Sequence, residues 1–380
     1  MSTNDNIHKL EFIDLTTNVI SEIYSSTVLF ADGGGASMYF PSASSLDKTC
    51  DGIALASKMG LDLVDMEFVQ FHPTGLLSEN PQFNGSLFEE SLRFSGAKIY
   101  NKDNERFLFN YLELGEQATR DKVSRAIYME IEKGKGFENG GVKLDFTDCY
   151  DLIKSDYPAL LERLIQAGYD IDSNKFVYIK PTAHFMMGGV KINERCETKI
   201  NGLYFAGESA GGIHGANRLG GNGLTEALVY SKIAGDNATE YYKKHAYEET
   251  IVHLTTNNTF NYSHQTSTLL NDMESFKKAM YSKAGLVRTK ESLIEMLNII
   301  EKYEKNVYPI SKFNYPYLYH LKLDFLNYLL VSKAIVHTAL KRNESRGSHY
   351  RADYPNASNE NKNYSTTFNN DVFEVKDLIY

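Results

Sequence analysis

The sequence predicts an α/β fold followed by an all-helical part, on three observations. Short apolar strand segments run into glycine clusters at Gly33-Gly34-Gly35 and from Gly207 onward. A helical apolar spacing, Leu224, Ala227, Leu228 and Ile233, follows the second cluster. Beyond a polar stretch at 253–266 the strand signals fade and helical patterns take over. In chain order, residues 11–30 read as two short strands turning at Thr17-Asn18, and the second leads into Gly33. Residues 51–61 read as a helix with Asp51 as N-cap. Residues 66–71 are strand-like, 121–133 helical, and 158–167 helical up to Gly168. Residues 177–181 and 190–192 are extended, 202–206 form a buried strand, and 222–242 form a long helix. Three helices follow at 274–282, 290–306 and 317–341, the second keeping Leu293, Leu297 and Ile300 on one face. An Asn- and Ser-rich tail at 356–370 reads as irregular.

Composition narrows the function classes. At 380 residues the chain has room for two or three domains. Hydrophobic residues make up 42% and charged residues 23%, which excludes wholesale disorder. Forty basic against 49 acidic residues give a net charge of −9, unsuited to phosphate-driven nucleic-acid binding but compatible with a local basic pocket. Cys50, Cys149 and Cys196 are far apart, with neither zinc spacing nor a CxxC pair, and fit a reducing compartment. Residues 1–17 lack an apolar signal core, and no apolar run approaches the roughly 20 residues of a membrane span. The expectation is a cytoplasmic protein, with docking on a membrane-bound partner left open.

The chemistry-bearing residues are scattered. Gly207-Glu208 closes a strand, and His214-Gly215-Ala216-Asn217-Arg218-Leu219-Gly220-Gly221-Asn222-Gly223-Leu224 opens a helix. Glycines permit close backbone approach, and free N–H groups at a helix start suit an anion or a charged oxygen. Glu208 is placed to accept ribose hydroxyls. His72-Pro73-Thr74-Gly75 and His184 through Gly188-Gly189 each follow a strand, Glu90 and Arg93 are three apart, and Arg120-Asp121 opens a helix. Singly, each has a plain structural reading, such as a capping pair or a surface ion pair.

Together, in this order, they resemble the flavoprotein subunit family of succinate dehydrogenase, fumarate reductase and L-aspartate oxidase. The resemblance runs from about Val28 to Pro355. It takes in Asp51-Gly52-Ile53-Ala54, Gln70 through Gly75, and Glu344-Ser345-Arg346-Gly347-Ser348-His349-Tyr350-Arg351. It implies a FAD-binding Rossmann-like base at 1–75 and 186–250, an inserted α+β cap at 76–185, and a C-terminal helical domain with an irregular tail at 251–380. It also implies a C4 dicarboxylate, fumarate or succinate, lying on FAD. His184 and Arg218 would hold one carboxylate, with the other near His72 and Glu89. Arg120 would exchange the proton, relayed through Glu90 and Arg93. Gly33, Gly34, Asp51, Glu208, Asn222, Gly223 and Leu224 would contact the cofactor, and an iron–sulfur or other electron-transfer subunit would be a partner. Leu219-Gly220-Gly221-Asn222 and His349-Tyr350-Arg351 look more like the fumarate reductase and succinate dehydrogenase branch, where such chains dock at the inner membrane through partner subunits. Arg346, His349 and Arg351 are expected to pack against the base.

The sequence also departs from the family. No strand with a GxGxxG turn precedes Gly33, so the expectation is that a separate N-terminal FAD-binding polypeptide completes the site. The alternatives are a non-catalytic remnant or interaction module without FAD, and an L-aspartate oxidase fragment. Asp32 stands where the family usually has Thr, Cys50 where it has Gly, Glu89 where it has Thr or Ser, and Gly223 where Ser is common.

Overall fold

The computed structural model describes residues 1–380 apart from 5, 18, 89, 90, 248, 249, 255–263, 307, 309, 311–315, 361, 370, 371, 379 and 380. Three layers of structure meet around the glycine loops. In the base, Val28–Phe30 and Leu203–Phe205 pair in parallel, and the Phe30 and Phe205 rings stack at 5.0 Å. A mixed sheet beside them runs in the order Ala210–Gly211, Gly189–Lys191, Leu63–Val64, Tyr364–Asn369, Val372–Asp377. The last two strands correct the expectation of an irregular tail. Tyr364–Asn369 registers Ser365 against Val64 and Thr366 against Leu63, and its buried β-branched Thr366 and Thr367 suit a strand better than the flanking Asn-rich composition suggests. An antiparallel sheet of Ser2–Asn4, Ile7–Asp14, Val19–Ser25 and Thr250–Leu254 lies alongside. Its last strand occupies the start of the expected 253–266 loop, most of which lies outside the described residues.

The cap is built on the strand order Val69–Leu76, Phe176–Met186, Val142–Asp145, Lys98–Tyr100. It has its own core, including Leu92, Ile99, Phe107, Val123, Ile127, Leu144 and Ile179. The helices His264–Lys283, Lys290–Glu304 and Pro316–Lys341 instead share one core with the base, joining Phe276, Leu293, Phe325 and Val331 to Met38, Ile53 and Phe71. Thr289 caps the second of these in a reciprocal capping box with Ser292.

Two boundary readings change. The helix Asp51–Lys58 has Cys50, at φ 63°, as N-cap, and Asp51 is its first residue. In Asn222–Lys244 the inward positions include Glu226, Ala234 and Ala238, whereas Leu224 and Leu228, expected on the core face, are exposed. That apolar stripe has no partner in the described part of the chain. Among the described residues, no helix is long and apolar enough to cross a membrane.

Candidate active site

The strand Val69–Leu76 is buried throughout, so its polar residues need partners. Gln70, His72 and Thr74 alternate along it and share one face. Thr74 anchors the His72 ring: its Oγ1 lies 3.0 Å from His72 Nδ1 and donates to the Phe88 carbonyl at 2.8 Å. Burial pushes the His72 imidazole well below its usual value, and the positive charges of Arg120, His184, Arg93 and Arg218 push it further. His72 is therefore a neutral hydrogen-bonding group set among cations. The antiparallel partner strand Phe176–Met186 brings His184 to it, the two rings lying edge to face at 5.7 Å.

Arg218 closes this group. Its Nη2 donates to Gln70 Oε1 and to His184 Nε2, each at 3.0 Å. Because a guanidinium only donates, His184 accepts through Nε2 and its ring proton sits on Nδ1. Gln70 Nε2 returns the contact, donating to the Arg218 carbonyl at 2.8 Å and to Asn217 Oδ1 at 2.9 Å. The Arg218 guanidinium stacks 4.4 Å from the Phe185 ring centre.

Arg120 opens the cap helix Arg120–Glu130. Its neighbour Asp121 accepts a 3.1 Å bond from Asn217 Nδ2, so the residues beside the two arginines tie cap to base. A Cβ built on Gly220 would lie 3.6 Å from Arg120 Nη2, and one on Gly223 would lie 3.2 Å from Arg218 Nη1. Both guanidiniums thus lie against the same glycine turn, at the positive end of the Asn222–Lys244 helix. This concentration of positive charge favours an anion between the two arginines. Arg93 is buried and donates to the carbonyls of Glu116 and Ala118, the latter at 3.3 Å, which fixes the segment leading into Arg120. Glu89 and Glu90 lie outside the described residues.

The cofactor-side candidates fall into two groups. Asn222, Gly223 and Leu224 form the first turn of the long helix, beside Arg218. Gly33, Gly34, Asp51 and Glu208 gather around Cys50. Glu208 accepts the Met186 N–H at 2.9 Å and the Lys48 ammonium at 3.2 Å, and a Cβ on Gly34 would lie 2.5 Å from its Oε1. Asp51 accepts from Asn327 at 2.7 Å and from Thr49 at 2.8 Å. Asp32 accepts the Gly52 N–H at 2.6 Å, while its buried Oδ1 has no hydrogen-bond partner. Burial, reinforced by Asp51, raises the Asp32 carboxyl, and burial beside Asp51 raises Asp324 to about 7. The Cys50 thiol, fully buried, is pushed well up for the same reason.

Gln70, Thr74, Asn217 and Asp121 belong to the site but were not among the sequence candidates. The alternation Gln70, His72, Thr74 in a strand was the available signal for two of them. No sequence spacing reveals the Asn217–Asp121 bond, which closes across 96 residues.

Comparison with known proteins agrees with this geometry. A family model described as a FAD binding domain matches residues 2–224, and one described as a fumarate reductase flavoprotein C-terminal domain matches 273–377. The chain belongs to the fumarate reductase flavoprotein family. An uncharacterized FAD-dependent oxidoreductase of Methanocaldococcus jannaschii is 38% identical over 356 residues, covering 92% of this chain and 64% of that protein. One of the subunits of the fumarate reductase (CoM/CoB) of Methanothermobacter marburgensis is 38% identical over 349 residues, covering 87% of this chain and 61% of that protein. The FrdA protein of an E. coli quinol fumarate reductase variant superposes with a TM-score of 0.78 at 26% identity, covering 98% of this chain and 70% of that one. Proteins named L-aspartate oxidase match as well, at 31% to 35% identity. The chain therefore spans less than two thirds of the length of its first curated relatives.

The cofactor of this family of flavin oxidoreductases is FAD. The residues present fit it on two counts. A Cβ added at Gly207, Gly212, Gly215 or Gly221 would meet nothing closer than 3.7 Å, leaving open room along the glycine loops. The orphaned Asp32 Oδ1 offers a buried polar contact in the group around Cys50.

Proposed function

We propose that the chain is the dicarboxylate-binding, proton-delivering part of a fumarate reductase or succinate dehydrogenase type flavoprotein, interconverting fumarate and succinate. The observation that carries this reading is the convergence of Arg120 and Arg218 on the Gly220–Gly223 turn, beside His72 and His184. Arg218 and the Nδ1–H of His184 would hold one carboxylate, and a guanidinium suits that planar group. His72, kept neutral, would hydrogen-bond the other end. Arg120 would give its proton to one carbon of the alkene while hydride reaches the neighbouring carbon. Arg93, through the 116–118 carbonyls, would keep Arg120 aimed, and Glu90 would complete the proton relay, with Glu89 near the second carboxylate. Gly33, Gly34, Asp51, Glu208 and the Asn222-Gly223-Leu224 turn would hold FAD, which when bound supplies the hydride donor or acceptor. Orientation of a clamped substrate is a large part of the rate advantage.

Partners follow the same logic. A separate N-terminal FAD-binding polypeptide would cover the exposed Leu219, Leu224 and Leu228 and extend the two-stranded parallel sheet, since parallel sheets are ordinarily larger and covered. An iron–sulfur or other electron-transfer subunit, holding the assembly at the inner membrane, would supply electrons.

A second reading, a non-catalytic module without FAD, is favoured by the carboxyl of Asp32 and the buried thiol of Cys50 in the cofactor-side group. The test is turnover by the chain loaded with FAD, alone or co-expressed with a glycine-rich N-terminal polypeptide, using a reduced viologen dye with fumarate and, separately, oxygen with L-aspartate. Fumarate reduction is the expected result. Retained flavin with no turnover of fumarate or succinate would overturn the proposal, and turnover of L-aspartate alone would assign the oxidase.

A further inference from the structure

The motif from Glu344 to Arg351 has no role in the chemistry above, yet it touches both halves of the cradle. Gly347, at φ 55°, comes so close to the base loop that a Cβ there would lie 2.2 Å from the Ala216 carbonyl oxygen. That oxygen accepts the Ser348 N–H at 2.9 Å and the Ser348 hydroxyl at 3.2 Å, two residues before Arg218. On the cap side, the Tyr350 ring lies 4.3 Å from the guanidinium of Arg125, one turn beyond Arg120 on the same helix.

The motif itself is held rigidly. The Tyr350 carbonyl accepts from Arg288 N at 3.1 Å, and buried His349 Nδ1 pairs with Arg288 Nη1 at 2.9 Å. Arg351 forks onto Asp353 at 2.7 and 2.6 Å, and its N–H donates to Ser345 Oγ at 2.9 Å. Arg346 and His349 exchange both backbone bonds, at 2.8 and 3.0 Å. With its backbone fixed in this way, the loop presents the Tyr350 ring to the cap as a stationary surface.

We propose that Tyr350 is a positioning residue. Its ring latches the cap helix through Arg125, while Gly347 and Ser348 hold the Arg218 loop, so that one rigid segment of the C-terminal domain sets the spacing of the two substrate-facing arginines. The latch deepens the dicarboxylate reading of this site and rests on it for its purpose, but its existence is measurable without turnover. Hydrogen exchange of the full chain reads it directly at amides 120–130. A guanidinium on an aromatic face is worth enough to change a local opening equilibrium by about two- to fivefold.

Tyr350→Ala and Arg125→Ala should each speed exchange across 120–130 by that factor, leaving 222–244 unchanged. The double variant should add nothing further, as expected of two residues sharing one contact. Tyr350→Phe, which keeps the ring, should match wild type. If Tyr350→Ala fails to fold, Tyr350→Leu replaces it. Unchanged exchange in the variants lacking the ring, or fully additive effects, would overturn the latch. Succinate titrated into the same proteins separates the two ideas. Loss of affinity tracking the exchange supports the spacing role, unchanged affinity with faster exchange overturns that role, and no succinate binding even by wild type counts against the dicarboxylate reading while exchange still decides the latch.

Discussion

The two ends of the candidate site are built on opposite principles. At the substrate end, Arg218, His184, Gln70, Asn217 and Asp121 interlock through hydrogen bonds of 2.8 to 3.1 Å that cross between base and cap. The charge there is positive, and it comes from guanidiniums rather than from His72, which burial keeps neutral. At the cofactor end, Asp32, Asp51, Glu208 and Asp324 cluster around a buried thiol, and the glycine loops beyond them border open space. The contrast teaches that the anion cradle is complete within this chain, whereas the cofactor end has acidic groups whose burial is poorly compensated. Room and polar groups for FAD are present there, at an electrostatic cost that the substrate end does not carry.

The comparison can be broken most sharply at Arg120. If the substrate end performs the chemistry, Arg120→Gln should cut fumarate turnover by roughly 10²- to 10⁴-fold, the ordinary share of a positioned proton donor. FAD retention, followed by visible absorbance after gel filtration, should not change. A variant that loses flavin together with activity would place Arg120 in the architecture of the cofactor end instead.

The cofactor end is sharpened by Asp32→Thr. Threonine can still accept the Gly52 N–H and removes a buried carboxyl with an orphaned oxygen. FAD should be retained several-fold more tightly, at about the scale of one relieved buried polar atom. Equal or weaker retention in a fluorescence titration would mean that Asp32 itself holds the cofactor.

A smaller effect concerns stability at the same end. The Asp324 carboxyl is raised to about 7 by burial and then by Asp51. A carboxyl raised on folding favours the protonated form. Its contribution is therefore intact below the unfolded value near pH 4 and is lost as pH rises through about 7. Asp324→Asn should melt at a higher temperature than wild type at pH 8, with the gap narrowing toward pH 5. A constant gap across that range, read by circular dichroism, would remove Asp324 as the titrating group.

Much of this was legible in the sequence because the cradle residues sit in local signatures. His72 follows a strand, Arg120 opens a helix, and Arg218 sits in a glycine-dense turn. The strand positions of Gln70 and Thr74 were equally available through their alternation with His72. What the sequence concealed depends on long-range closure. The 364–377 hairpin looked irregular because its Asn-rich flanks mask a strand that is stabilised only by pairing with Leu63–Val64. The exposed Leu224 and Leu228 looked like core because helical spacing gives an apolar stripe without saying what covers it. Cys50 as N-cap was hidden by Asp51, the better capping residue by type, because the left-handed backbone at Cys50 sets the helix start one position earlier.

The account's central claim is that Arg218 and Arg120 share one dicarboxylate. Calorimetric titration of succinate into the wild-type chain and the Arg218→Gln and Arg120→Gln variants tests it most directly. The account predicts one binding site in wild type, weakened roughly ten- to hundredfold by Arg218→Gln as charged hydrogen bonds are lost, and weakened also by Arg120→Gln. Wild-type affinity in both variants would contradict it.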